Sequence, residues 1–151
     1  MKRNKNIFDK IGSLIPGYRG YSEKDSRRNC DKLLRNRISD QLLDVEDIVR
    51  DRLKLVISQK KINDIELLES LRKKINTLSD KVRFAPYGES SFFADSKIDE
   101  DELEKIYEYD FYLLIDLEKI NNGLLTSNLE EIIDKIYRTL DERNKFIGEH
   151  K

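Results

Sequence analysis

Tyr18, Arg19 and Tyr21 stand in the stretch "IPGYRGY", and the adjacent Arg27 and Arg28 follow in the first turns of the next helix. Rings and guanidinium groups together suit a phosphate or carboxylate, because arginine presents its donors as a planar fork. A helix N-terminus adds backbone N–H groups that favour anions. The same dipole opposes cations there, so Arg27 and Arg28 need compensating partners. Those are acids elsewhere in the fold, or the phosphate of a lipid headgroup, a nucleic acid or a small molecule. Asp110 is the second candidate. In "LEKIYEYDFYLLIDLEKI" it occupies a position where the helical repeat demands an apolar residue. A buried carboxylate is costly unless paired and hydrogen-bonded. Arg27, Arg28 and Arg83 are the expected partners, with Tyr87 as a possible donor. Such a pair either fixes helix register or leaves a carboxylate that binds a ligand or catalyses.

Other chemistry finds no residues. The chain has one His, His150, and one Cys, Cys30. A di-metal carboxylate centre needs Glu-x-x-His pairs on facing helices, and zinc needs more thiols or imidazoles, so no metal and no cofactor is expected. There is no phosphate-cradling Gly-rich loop and no Gly-x-Ser-x-Gly elbow. Cys30 falls on an apolar stripe and reads as a small core residue rather than a reactive thiol. The run "DEDELE" at 99–104 reads as a solvated helix start.

The elements that must position these residues are helical. Residues 4–15 place Ile7, Phe8, Ile11, Leu14 and Ile15 at helical spacing, and Pro16 and Gly17 end the segment. Ser22 is expected to cap a helix from about Glu23 to Gln59, with Asp25 three residues on. That helix holds no Gly or Pro, and Cys30, Leu34, Ile38, Leu42, Val45, Val49, Leu53 and Val56 step along it in threes and fours. At 1.5 Å per residue it is a rod of about 50 Å. After a break near 61–64, Ile65, Leu68, Leu71, Ile75, Leu78 and Val82 form a near-heptad stripe. A third helix runs from about Glu100 to Asn121, capped by Asp99 with Glu102 at the box position. The fourth starts at Ser127 with Glu130 and turns Leu129, Ile132, Ile133, Ile136, Tyr137, Leu140 and Ile147 inward. The expected fold is all-α: an antiparallel four-helix bundle spanning 22–151, with a short amphipathic arm and Gly/Tyr turn in 1–21. Between the second and third helices lies "FAPYGESSFFADSKI", whose Phe84, Tyr87, Phe92 and Phe93 predict an aromatic loop packed on the bundle.

Charge points in two directions. The chain has 151 residues, 39% of them charged, a net charge of −1 and a mean hydropathy of −0.70. Residues 1–37 hold eleven Lys and Arg against four acids, so this segment is +7 and the remainder −8. Attraction between the two halves of one molecule is the expected use. The other use is an anionic partner. Lys2, Arg3, Lys5 and Lys10 flank the apolar Ile7, Phe8 and Ile11 as on a membrane-surface helix, although docking of that face on the bundle is expected. A nucleic acid is the weaker fit, because only Tyr18 and Tyr21 accompany the arginines. No apolar run approaches a membrane span and no secretory signal is evident, so the expected location is cytoplasmic, with the membrane periphery as alternative.

The blocks "LIPGYRGYSEKDSRRNCDKLLR" and "YGESSFFADSKIDEDELEKIYEYD" resemble the signatures of an uncharacterised family of small prokaryotic helical proteins. The resemblance implies a helical fold and no activity. The expectation is a non-enzymatic interaction or adaptor module with a protein partner or a second copy of itself. The alternatives are peripheral membrane association through the basic arm, and a small-ligand binder or enzyme using the Arg/Asp/Tyr cluster.

Overall fold

The computed structural model describes residues 2–83, 99–123 and 129–149, the side chains of 2–6, 24, 25, 121–123 and 149 excepted. The described chain is all-α and holds no strand. Five helices follow in order: α1 Lys2–Leu14, α2 Lys24–Ser58, α3 Ile62–Arg83, α4 Glu100–Gly123 and α5 Leu129–Glu149. The aromatic loop, with Phe84, Tyr87, Phe92 and Phe93, lies outside the described residues, as do the expected Ser127 cap and His150.

The apolar stripes of α2 and α3 meet face to face. Leu34, Ile38, Leu42 and Val49 on α2, and Ile75, Leu78 and Val82 on α3, are all buried. The two helices run in opposite directions, because Arg35 bonds the Arg83 carbonyl, Ser39 meets Ser79 and Arg72 approaches Glu46. The Ser39 and Ser79 hydroxyls share a hydrogen bond of 2.7 Å in the buried seam. A buried hydroxyl costs free energy without such a partner, so each serine answers the other. α4 and α5 are likewise opposed, as Asp110 pairs with Arg143 and Asp116 with Lys135. α3 and α5 run in the same direction, since Lys74 pairs with Asp134 and Lys81 with Asp141. α2 meets α4, and α1 lies along α4. Ile11, Ile15, Tyr18 and Tyr21 belong to the same core cluster as the stripes of the longer helices. Each fully buried Ile or Leu contributes roughly 1.5–3 kcal/mol, so the arm is anchored by packing.

The helix ends differ in how they are built. Asp99 caps α4 as expected, its Oδ1 accepting the Glu102 N–H at 2.8 Å. The expected Ser22 cap is not formed. The N-cap of α2 is Glu23, in extended geometry and without a side-chain cap bond, while Ser22 is exposed. Gly20 and Tyr21 are anchored in the core, which fixes where the chain can enter the helix. Ser26 Oγ instead reaches back to the Gly20 and Glu23 carbonyls.

α2 ends in a Schellman arrangement. The Lys61 N–H donates to the Val56 carbonyl at 3.2 Å and the Lys60 N–H to the Ile57 carbonyl at 3.1 Å. That turn puts Lys60 at φ 58, a left-handed conformation that glycine adopts at no steric cost. Lys60→Gly is therefore expected to raise stability by about 0.5–1 kcal/mol, read as a higher urea midpoint with an unchanged slope.

Candidate functional site

The turn before α2, the middle of α4 and the last turns of α5 converge on one buried polar cluster. Arg143, Asp31 and Asp110 are each 0% exposed at the centre of it. Arg143 donates from Nε to Asp110 Oδ1 at 2.7 Å and from Nη2 to Asp31 Oδ1 at 2.7 Å. Its Nη2 also reaches the Tyr21 hydroxyl at 3.1 Å. The second oxygen of Asp110 accepts from the Tyr21 hydroxyl at 2.6 Å and the Tyr18 hydroxyl at 2.9 Å. The second oxygen of Asp31 accepts from Arg35 Nε at 2.8 Å, one helical turn on. The Tyr107 hydroxyl accepts the Tyr21 N–H at 2.9 Å, which pins the turn to α4. One guanidinium thus joins carboxylates from α2 and α4, and all four acid oxygens are bonded.

Gly20 makes this convergence possible. Its φ is +83, and a Cβ there would collide with the Tyr107 hydroxyl and the Phe8 ring. Rings complete the packing: Phe8 stands edge-on to Tyr107 at 5.5 Å, and Tyr18 edge-on to Tyr21 at 6.0 Å.

Burial raises the Asp110 pKa above the ordinary aspartate value, and the Arg143 charge and the two tyrosine hydroxyls oppose that shift. Burial works to lower the Arg143 pKa, but the charges of Asp110 and Asp31 outweigh it and hold the guanidinium charged. Burial, and then the Asp110 charge, push the Tyr18 and Tyr21 hydroxyls well above their usual range. The same two causes, in the same order, push the Cys30 thiol up to about 12. Cys30 is buried and, as its place on the stripe implies, no nucleophile.

These shifts carry a pH dependence. The folded chain keeps the Cys30, Tyr18 and Tyr21 protons that the unfolded chain releases, so stability falls as pH rises above the unfolded values of 9.0 and 10.0. Each group then costs up to about 1.4 kcal/mol per pH unit. Urea midpoints are expected to be level with respect to these groups from neutral pH to about 8.5 and to drop steeply beyond about 9.5. Cys30→Ala should delay the start of that drop. A flat profile through this window would show that the three protons titrate as in the unfolded chain.

The residues singled out from the sequence are not one constellation. Tyr18, Tyr21 and Asp110 come together, but the expected cationic partners of Asp110 do not reach it. Arg27 is buried and donates from Nε to the Tyr21 carbonyl at 2.7 Å. Arg83 lies against Asp40 at 2.5 Å and Ser39 at 3.0 Å. Arg19 and Arg28 are exposed, and Tyr87 lies outside the described residues. The partner is Arg143, from the far end of the chain. Its signal was present, because it sits three residues after Leu140 and four before Ile147 on the inward stripe of α5. Asp31 carries the same mark, three residues before Leu34 and seven before Ile38.

The arm residues are also placed. Ile11 is fully buried, and Ile7 and Phe8 are half-buried against the core. Lys10 is exposed and lies over the Phe111 ring at 5.6 Å. Lys2, Arg3 and Lys5 belong to α1, but their side chains are outside the described set. Between segment 1–37 and the rest of the chain, acidic Asp31 pairs with Arg143.

Among the described residues no group of His, Cys, Asp and Glu could hold a metal ion, and no helix is long and apolar enough to cross a membrane. An open groove of about 280 Å³ lies between α4 and α5, lined by Lys105, Glu108, Tyr109, Tyr112, Lys135 and Glu142 among others. Its two cations and two acids cancel, and Lys105 already covers Tyr109 at 5.2 Å. No family model, no curated protein and no solved structure matches the chain.

Proposed function

We propose that the protein is a non-enzymatic interaction or adaptor module, an antiparallel four-helix bundle of α2 to α5 with α1 as a docked arm. The observation that carries this is the closure of the Arg143 cluster: both oxygens of Asp110 and both of Asp31 are occupied by groups of the chain itself. A catalytic or ligand-binding carboxylate must present an oxygen to something else, and these are fully buried with every oxygen already bonded within the chain. Helical packing then leaves the outer surface to meet a protein partner or a second copy. The resemblance to small prokaryotic helical proteins fits a module of this kind. The setting we propose is the cytoplasm. Membrane adhesion through α1 would first have to withdraw Ile11, Ile7 and Phe8 from the core.

The competing reading is an anion site at Arg143, whose buried Nη1 has no hydrogen-bond partner among the described residues. Thermal unfolding with inorganic phosphate or succinate separates the two. A ligand present at a hundred times its dissociation constant adds about 2.7 kcal/mol, a rise of several degrees for a chain this size. The interaction-module reading expects no rise with either anion. A rise that vanishes in Arg143→Lys would replace it with a ligand-binding site.

A further inference from the structure

The α2–α3 hairpin runs past the level of the first described residue of α5. Lys74–Asp134 and Lys81–Asp141 set a constant register between α3 and α5. That register places Leu129, the first residue of α5, level with residue 69 of α3. The residues of α3 from that level down to Ile62 extend about 10 Å further at 1.5 Å per residue, and the facing end of α2 up to Ser58 about 14 Å. Most of the large exposed apolar side chains of the described residues lie here: Leu55, Ile57, Ile62 and Leu67. Ile57 and Ile62 are 52% and 69% exposed, on either side of the Schellman turn.

Helical spacing sorts this tip into faces. On α2, Lys54 and Ile57 are three residues apart and share a face, and on α3 Ile62 and Glu66 are four apart and share one. Ile62 is twelve residues from Lys74, about a third of a turn away from the side of α3 that meets α5. The face of Ile57 and Ile62 is therefore turned away from α5. It is basic on its α2 edge, with Lys54, and acidic on its α3 edge, with Glu66. Among the described residues the side chains of Lys54 and Glu66 have neither an ion pair nor a hydrogen bond.

We infer that this tip is a self-association surface whose occupant is the same tip of a second copy of the chain. An isologous interface must be self-complementary, each patch meeting its own image across a two-fold axis. A patch with an apolar centre, one basic edge and one acidic edge meets that condition: Lys54 of each copy faces Glu66 of the other, and Ile57 and Ile62 pack between them. A partner of one sign would complement one edge and repel the other. The face is small beside the roughly 800 Å² per partner of a standard interface, so the dimer is a weak one. This inference rests on the interaction-module reading and specifies its surface and partner.

Sedimentation equilibrium of the full chain from roughly micromolar to millimolar concentration tests it. The mass is expected to rise with concentration from 17.9 kDa toward twice that value. Ile57→Asp with Ile62→Asp should weaken association at least tenfold; these positions are exposed, so the fold should keep its circular dichroism. Lys54→Glu alone and Glu66→Lys alone should each stay monomeric, because each sets like charges opposite each other twice. An equal mixture of the two should form a heterodimer, since both contacts are then complementary. A wild-type chain that remains at one-chain mass at millimolar concentration overturns the inference. So does a mixture that fails to associate, or a Ile57→Asp/Ile62→Asp variant that dimerises as before. None of these outcomes alters the anion titrations, so the broader reading stands or falls separately.

Discussion

Replacing Arg143 with methionine is expected to destabilise the fold by about 3–5 kcal/mol, a large fraction of the 5–15 kcal/mol that holds a typical domain. The guanidinium is 0% exposed and bonds carboxylates that are themselves fully buried, Asp110 and Asp31. Removing it leaves two acids out of water: one keeps Arg35 and the other only the Tyr18 and Tyr21 hydroxyls. Arg143→Lys retains the charge but lacks a planar fork to reach both acids, so its cost should be intermediate. The pairing itself is read from a cycle with Asp110→Asn. Once Asp110 is neutral, deleting Arg143 strands one fewer charge, and a coupling of roughly 1–3 kcal/mol is expected. Urea unfolding gives each corner of the cycle. A cost below about 1 kcal/mol for Arg143→Met would mean that water reaches these carboxylates and that the cluster is not the latch between the hairpins.

Gly20→Ala should be nearly as damaging, at about 2–4 kcal/mol, although it adds a single methyl group. A left-handed φ costs a residue with a Cβ roughly 1 kcal/mol. The larger share is steric: the added carbon meets the Tyr107 hydroxyl and the Phe8 ring. Either α1 lifts, or the turn shifts and the Tyr21 N–H loses Tyr107. Gly17→Ala is the matched control. Its φ is +88, but the nearest neighbour to a new Cβ is the Leu33 side chain at 3.4 Å, so it should lose only about 1 kcal/mol. Equal losses at the two positions would show that backbone strain, rather than crowding beneath α1, sets the cost. The near-ultraviolet tyrosine signal should change in Gly20→Ala and not in Gly17→Ala, because only the first disturbs the Phe8, Tyr18, Tyr21 and Tyr107 rings.

Both effects bear on the same junction, where a turn from residues 15–23 is locked under α4 by a residue from α5. The arm, the turn and the two hairpins are therefore expected to lose structure together rather than in stages.

Much of the architecture was legible because it is local. A 35-residue stretch free of Gly and Pro, with apolar residues every three or four positions, can bury those residues only as a helix, and α2 runs from Lys24 to Ser58. The Asp99 cap needs nothing beyond residues 99–102, and it formed as read. Asp110 declared itself by breaking an apolar stripe, which says that a charge is buried without saying what meets it. That answer depended on how four stripes rotate against one another. Arg83 is nearer to Asp110 along the chain than Arg143, and Arg27 and Arg28 are farther, yet the guanidinium that arrives is Arg143, 33 residues from Asp110 and 112 from Asp31. Periodicity assigns a residue to a face of its own helix, but the neighbour that face receives is chosen by the packing of the whole core. The entry to α2 shows the same division on a smaller scale. Serine is the better cap in isolation, but Gly20 and Tyr21 are held by Tyr107 and Asp110, and the helix begins where that anchor allows. The sequence by itself determined the helices and marked a buried acid; tertiary packing decided that the "GYRGY" turn is a clasp on Arg143 and Asp110.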